Sequence, residues 1–161
     1  MSGSLPEPEV PDEVGATGGG GTLEGGCMCG AVRFRISEPL LGAVACHCTR
    51  CQRRTGTAFS ATALTTRGSF AIVAGEGHVG SWDPGDGWIK FHCVTCGGAL
   101  YTRHPENPEL ISVRMGAVDG DPGVRISAHQ FVAYKAGWYE IPDDGCPRFP
   151  ERLGVGDPLA D

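Results

Sequence analysis

The 161 residues suffice for one domain with a real core. Nineteen acidic against thirteen basic side chains give a formal charge of −6, which disfavours non-specific binding to nucleic acid or to an anionic membrane. No apolar run approaches the ~18 residues that span a bilayer. Met1-Ser2-Gly3-Ser4-Leu5-Pro6-Glu7 lacks the basic and hydrophobic stretches of a secretory signal, so a cytoplasmic protein with reduced thiols is expected.

Residues 1–21 lack aromatics and end in Gly18-Gly19-Gly20-Gly21, the composition of a disordered tail; residues 152–161 read similarly. Between them, Val32, Phe34 and Ile36 alternate with Arg33 and Arg35, which predicts a half-buried strand. Residues 43–45 lead into a cysteine-rich corner, after which 49–54 form the only plausible helical turn. Strands are expected over 60–66 and 70–73. A hairpin follows, in which 79–82 and 88–92 flank Asp83-Pro84-Gly85-Asp86-Gly87. Runs at 99–102, 110–114 and 126–132 continue the series. With no repeat and no sustained 3.6-residue period, the fold is mainly β with little helix. Trp82, Trp88 and Trp138 read as core or hairpin packing.

Seven of the eight cysteines fall into three clusters: Cys27/Cys29, Cys46/Cys48/Cys51 and Cys93/Cys96. Thiolates this close in sequence converge on a soft cation at about 2.3 Å but strain as disulfides. Cys27, Cys29, Cys93 and Cys96 pair best as a closed tetrahedral site, since both pairs sit beside glycines that permit tight turns. Free thiols and disulfides are the alternatives. Cys46, Cys48 and Cys51 leave a zinc ion one open position, the arrangement of catalytic zinc and a natural seat for a fourth thiolate. Closure by His47 or His92 would make that site structural instead. His47, between two ligands, reads as a hydrogen-bonding neighbour that points away. Arg53 and Arg54 follow at once and could hold a substrate carboxylate, or form a solvated basic turn. Cys146, alone before Pro147, reads as a structural or exposed thiol.

Three segments resemble the glutathione-dependent formaldehyde-activating enzyme and centromere protein V family. They are Gly26-Cys27-Met28-Cys29-Gly30-Ala31-Val32-Arg33-Phe34, Cys46-His47-Cys48-Thr49-Arg50-Cys51-Gln52-Arg53, and Phe91-His92-Cys93-Val94-Thr95-Cys96-Gly97-Gly98. Gly116-Ala117-Val118-Asp119, His129 and Lys135-Ala136-Gly137-Trp138 extend the likeness over roughly residues 22–151. Gly137, where the family commonly has proline, and Cys146, where it has an aliphatic residue, depart from it. The resemblance implies a zinc-stabilised β domain with two Zn2+ per chain, structural on Cys27, Cys29, Cys93 and Cys96, catalytic on Cys46, Cys48 and Cys51. It also implies a carbon–sulfur lyase that joins glutathione to formaldehyde. The expected partners are thus a small thiol (glutathione, mycothiol or another) and an aldehyde, with no nucleic acid and no membrane. Arg53 or Arg54 would hold the thiol's carboxylate and His47 would carry a proton. The rival reading is a non-catalytic zinc-stabilised β module that binds a protein or small ligand.

Overall fold

The computed structural model describes residues 21–153 apart from Asp86; the two expected tails lie outside these residues except at their inner ends. Eleven strands and one α-helix follow in order: β1 Leu23–Gly26, β2 Arg33–Ile36, β3 Gly42–Cys46, α1 Thr49–Thr55, β4 Ser60–Leu64, β5 Phe70–Ala74, β6 Val79–Trp82, β7 Ile89–Cys93, β8 Ala99–Arg103, β9 Ile111–Arg114, β10 Ile126–Gln130 and β11 Arg148–Phe149. No helix among the described residues is long and apolar enough to cross a membrane.

Eight strands form one sheet in the order β11-β10-β3-β4-β9-β8-β7-β6, and β1, β2 and β5 form a second. Neighbours pair antiparallel except at β11-β10-β3, where both pairings are parallel. The core fills the space between the sheets. Phe34 meets Phe70 at a centroid distance of 5.2 Å, Phe70 meets Tyr101 at 4.7 Å, and Tyr101 stacks on Phe91 at 4.4 Å. The first pair belongs to the small sheet; the last lies on the large one.

The alternation read at residues 32–36 has its structural cause here. Phe34 and Ile36 are fully buried, while Arg33 and Arg35 face out and pair with Asp119 and Glu24. The same two-residue period divides the large sheet. Ala43, Ala63, Ile111 and Val113 face the core, and Ala45, two residues from Ala43 on β3, is fully buried. Their neighbours Val44, Cys46, Thr62, Ser112 and Arg114 face the opposite side, where a cavity lies.

Two elements were not expected. β1 is glycine-rich and has little strand propensity of its own; its pairing with β2 and the close approach of Gly25 to Val118 hold it. β11 is two residues long and, among the described residues, pairs only with β10. The strand expected over 126–132 stops at Gln130, because Phe131 takes a left-handed conformation at φ 57° and no ladder continues through it.

Candidate functional site

The first cysteine cluster joins the two sheets. Cys27 leaves β1 into a tight turn closed by Gly30, and Cys93 ends β7 before a matching turn closed by Gly97; both glycines have φ 75°. Each turn folds its backbone onto the first cysteine, with Gly30 N donating to Cys27 O and Gly97 N to Cys93 O. The four sulfurs of Cys27, Cys29, Cys93 and Cys96 lie within 4.8 Å of one another. Cys27 and Cys29 are 3.5 Å apart and Cys29 and Cys93 3.8 Å. A tetrahedron with zinc–sulfur bonds of 2.3 Å has edges of about 3.8 Å, whereas a disulfide needs about 2.05 Å. All eight cysteines are free thiols. The donor set suits a metal ion.

The second cluster forms at a strand-to-helix corner. Cys46 ends β3, Cys48 is the N-cap of α1, and Cys51 lies in the first turn, where its N–H donates to Cys48 Sγ at 3.3 Å. Gly56, at φ 67°, closes the helix. The three sulfurs lie within 4.8 Å of one another, and no His, Asp or Glu among the described residues joins them. Cys48 is held as thiolate, down to about 2, by hydrogen bonds from Cys46 and Cys51; the bond to Cys48 and then that to Cys51 push Cys46 up. Both cysteine clusters could hold metal ions.

The triad lies in a cavity of about 470 Å³ on the outer face of the large sheet. Hydroxyls of Ser60, Thr62, Thr102 and Ser112 pave it, Trp82 and Trp88 stand in its wall, and Phe131 and Tyr134 close one side. Among the described residues, five cations line it, namely Arg50, Arg54, Lys90, Arg114 and Arg152, and no lining residue is acidic. Arg114 is 8 % exposed and donates to Ser60 Oγ, while Arg54 donates to Phe91 O at 3.0 Å. Burial pushes the Arg114 guanidinium down; the neighbouring charges of Cys51, Cys46 and Cys48 oppose that shift. Burial also draws the Lys90 amine down to about 8.

Arg54 is therefore in the cavity, and Arg53 is exposed and outside its lining. His47 is fully buried behind the triad, and neither it nor His92 lines the cavity. The His47 Nε2 lies 2.9 Å from His129 Nδ1, and His129 Nε2 lies 2.9 Å from Asp144 Oδ2. Phe59 and Tyr139 pack on the His47 ring. His47 N donates to Gln130 O, which fastens the corner to β10. Cys146 is half-buried, and its thiol donates to Ile126 O at 3.3 Å. Trp82 and Trp88, expected in packing, form cavity wall instead, and Trp138 is 74 % exposed.

Arg114, Lys90 and Ser60 were not singled out from the sequence. The signal for Arg114 was present: in 111–114, Ile111 and Val113 alternate with Ser112 and Arg114.

The chain belongs to the glutathione-dependent formaldehyde-activating enzyme family, whose profile matches residues 22–134. It is 30 % identical over 155 residues to a protein of Halomonas elongata provisionally named a glutathione-dependent formaldehyde-activating enzyme, covering 83 % of this chain and 97 % of that one. A crystal structure of a Rhodobacter sphaeroides protein shares the fold at a TM-score of 0.50 and 25 % identity, over 60 % of this chain and 88 % of that one.

Proposed function

We propose that the protein is a zinc-dependent enzyme of the carbon–sulfur lyase type that forms or cleaves adducts between a small thiol and an aldehyde. Two zinc ions per chain would be held, one by Cys27, Cys29, Cys93 and Cys96, the other by Cys46, Cys48 and Cys51. The observation that carries the reading is the Cys46/Cys48/Cys51 triad, which faces a basic cavity and has no fourth protein ligand among the described residues. Family membership and the name of the Halomonas relative support glutathione and formaldehyde as the type pair.

Zinc at the triad would supply a Lewis-acid position that keeps an incoming thiol deprotonated at neutral pH. The cavity's own residues do the rest. Arg50 and Arg152, exposed at the rim, bind the thiol's carboxylates and so fix where its sulfur lies, while Arg54 stands deeper in the cavity. The sulfur adds to the carbonyl carbon, a carbon–sulfur bond forms, and the carbonyl π pair moves to oxygen. Ser60 stands opposite Cys46 across the β3/β4 ladder and accepts from Arg114, which leaves its own proton to donate to that oxygen. His47, outside the cavity lining, fixes the corner through its backbone and ring bonds rather than meeting substrate. Clustered thiols require a reducing compartment, so the proposed location is the cytoplasm.

The test is cobalt substitution combined with a panel of thiols and aldehydes. Cobalt at the triad is expected to change its thiolate charge-transfer bands when thiol is added, saturably, while cobalt at the four-cysteine site does not respond. Adduct formation should exceed the uncatalysed rate. Bands that stay fixed through millimolar thiol, with both sites loaded, would make the non-catalytic zinc module the better reading.

A further inference from the structure

The cavity carries its positive charge at two levels. Arg50 and Arg152 are exposed at the rim, whereas Arg114 is buried and Arg54 and Lys90 are half-buried on the floor. Arg114 lies against the Cys51 side chain. Neither Arg54 nor Arg114 pairs with a carboxylate among the described residues. Arg54 donates to the neutral Phe91 carbonyl and Arg114 to the Ser60 hydroxyl and towards Cys51, and the Nε of each is buried without a hydrogen-bond partner among the described residues. A buried cation needs a counter-charge, and neutral acceptors replace one poorly. Three thiolates with a divalent ion leave one negative charge, against the two guanidiniums. The floor therefore holds surplus positive charge beside the place where the carbon–sulfur bond would form.

We propose that the carbonyl partner carries its own carboxylate on the reacting carbon, as an α-oxo acid does, and that Arg114 and Arg54 form the subsite for it. This rests on the thiol–aldehyde reading and narrows it. A one-carbon aldehyde has no group that uses floor cations. The carboxylates of a peptide-like thiol lie several bonds from its sulfur, which suits Arg50 and Arg152 at the rim. In the step, the thiolate sulfur bonds the carbonyl carbon and the π pair moves to oxygen. That oxygen takes the Ser60 proton, which solvent replaces, and the product is an S-(hydroxy)carboxymethyl thioether; nothing is oxidised or reduced. A guanidinium grips the carboxylate by paired N–H···O bonds and so turns the carbonyl face towards the sulfur.

Two stable thioethers isolate this contact. S-carboxymethylglutathione and S-methylglutathione share the peptide carboxylates and differ in the carboxylate beside sulfur. Binding to the full, zinc-loaded chain can be followed by calorimetry and by the fluorescence of the cavity-wall tryptophans Trp82 and Trp88. S-carboxymethylglutathione should bind at least about tenfold tighter, the scale of one buried charge-assisted contact. In Arg114→Gln that ratio should fall to about one, and in Arg54→Gln part of the way. Where Arg114→Gln fails to fold, Arg114→Lys, which keeps charge but loses the planar fork, should still cut the ratio severalfold. Equal binding of the two thioethers by the unaltered protein overturns the proposal and leaves the thiol reading standing. Failure of both to bind overturns the thiol reading and the proposal with it. In turnover with glutathione, glyoxylate should exceed its uncatalysed rate by a larger factor than formaldehyde; the reverse order also overturns the proposal.

Discussion

Cys93 and Cys48 differ in what their sulfurs tie together. Cys93 is fully buried and belongs to the cluster that joins β1 to β7, 64 residues from Cys29. Cys48 closes a local corner and caps one short helix. The zinc proposed for that cluster would contribute on the order of 10 kcal/mol of folding free energy, so Cys93→Ser should unfold the chain or lower its melting point drastically. Cys48→Ser should cost about 1 kcal/mol, as cap loss does, while the metal and the activity proposed for the second site disappear. Equal damage in thermal melts would refute this division of labour. A second residue-level prediction concerns Asp144, whose carboxyl is held at about 2 by its hydrogen bond to His129 and by the Cys146 N–H. Its folded value lies below the unfolded ~3.9, so its stabilisation is complete above that value and is lost as pH falls towards 2. The stability advantage over Asp144→Asn, measured by urea melts, should be constant above pH 5 and shrink below pH 4. Cysteine spacing was legible in the sequence because metal ligands come in local pairs. Arg114 joins Cys51 and Ser60 across strands distant in sequence, and pairing of strands is not written in local spacing.

At the scale of elements, β1 carries the sharpest expectation. A Cβ on Gly25 would stand 2.2 Å from Ala117 O and 2.3 Å from the Phe34 ring. Gly25→Ala must push either the backbone or a core aromatic, and such overpacking costs about 1–3 kcal/mol. Gly56→Ala meets no neighbour within 4 Å but must hold φ 67°, so the cost is about 1–2 kcal/mol with no packing displaced. Chemical denaturation should rank Gly25→Ala as the more damaging of the two. The same glycines explain which elements could be read in advance. Strands with apolar alternation, such as 33–36 and 111–114, and the helix after Cys48 carry their own signals. β1 does not, because its glycines serve close approach to a neighbour rather than strand propensity. β10 was read two residues too long because nothing in Phe131 announces a left-handed backbone.

Across the whole molecule, the two candidate metal centres should release their ions at different thresholds. A graded chelator should first remove the ion from the three-cysteine site with little change in circular dichroism, and then the second ion together with a cooperative loss of structure. A single release step coincident with unfolding would show that both sites support the fold. The large sheet has a further consequence for the order in which the chain can be built. β3 is covered on one side by β4, which follows it closely, but its other edge pairs in parallel with β10. Translation at about 5–20 residues per second leaves roughly 4–16 s between the emergence of Cys46 and that of Ile126. Throughout that interval the corner bearing Cys46, Cys48 and Cys51 has all three sulfurs yet lacks the Gln130 carbonyl that fastens it. The nascent chain thus exposes three clustered thiols and an open strand edge before β10 fastens the corner, so a soft metal ion supplied during translation, rather than after it, is expected to favour correct folding.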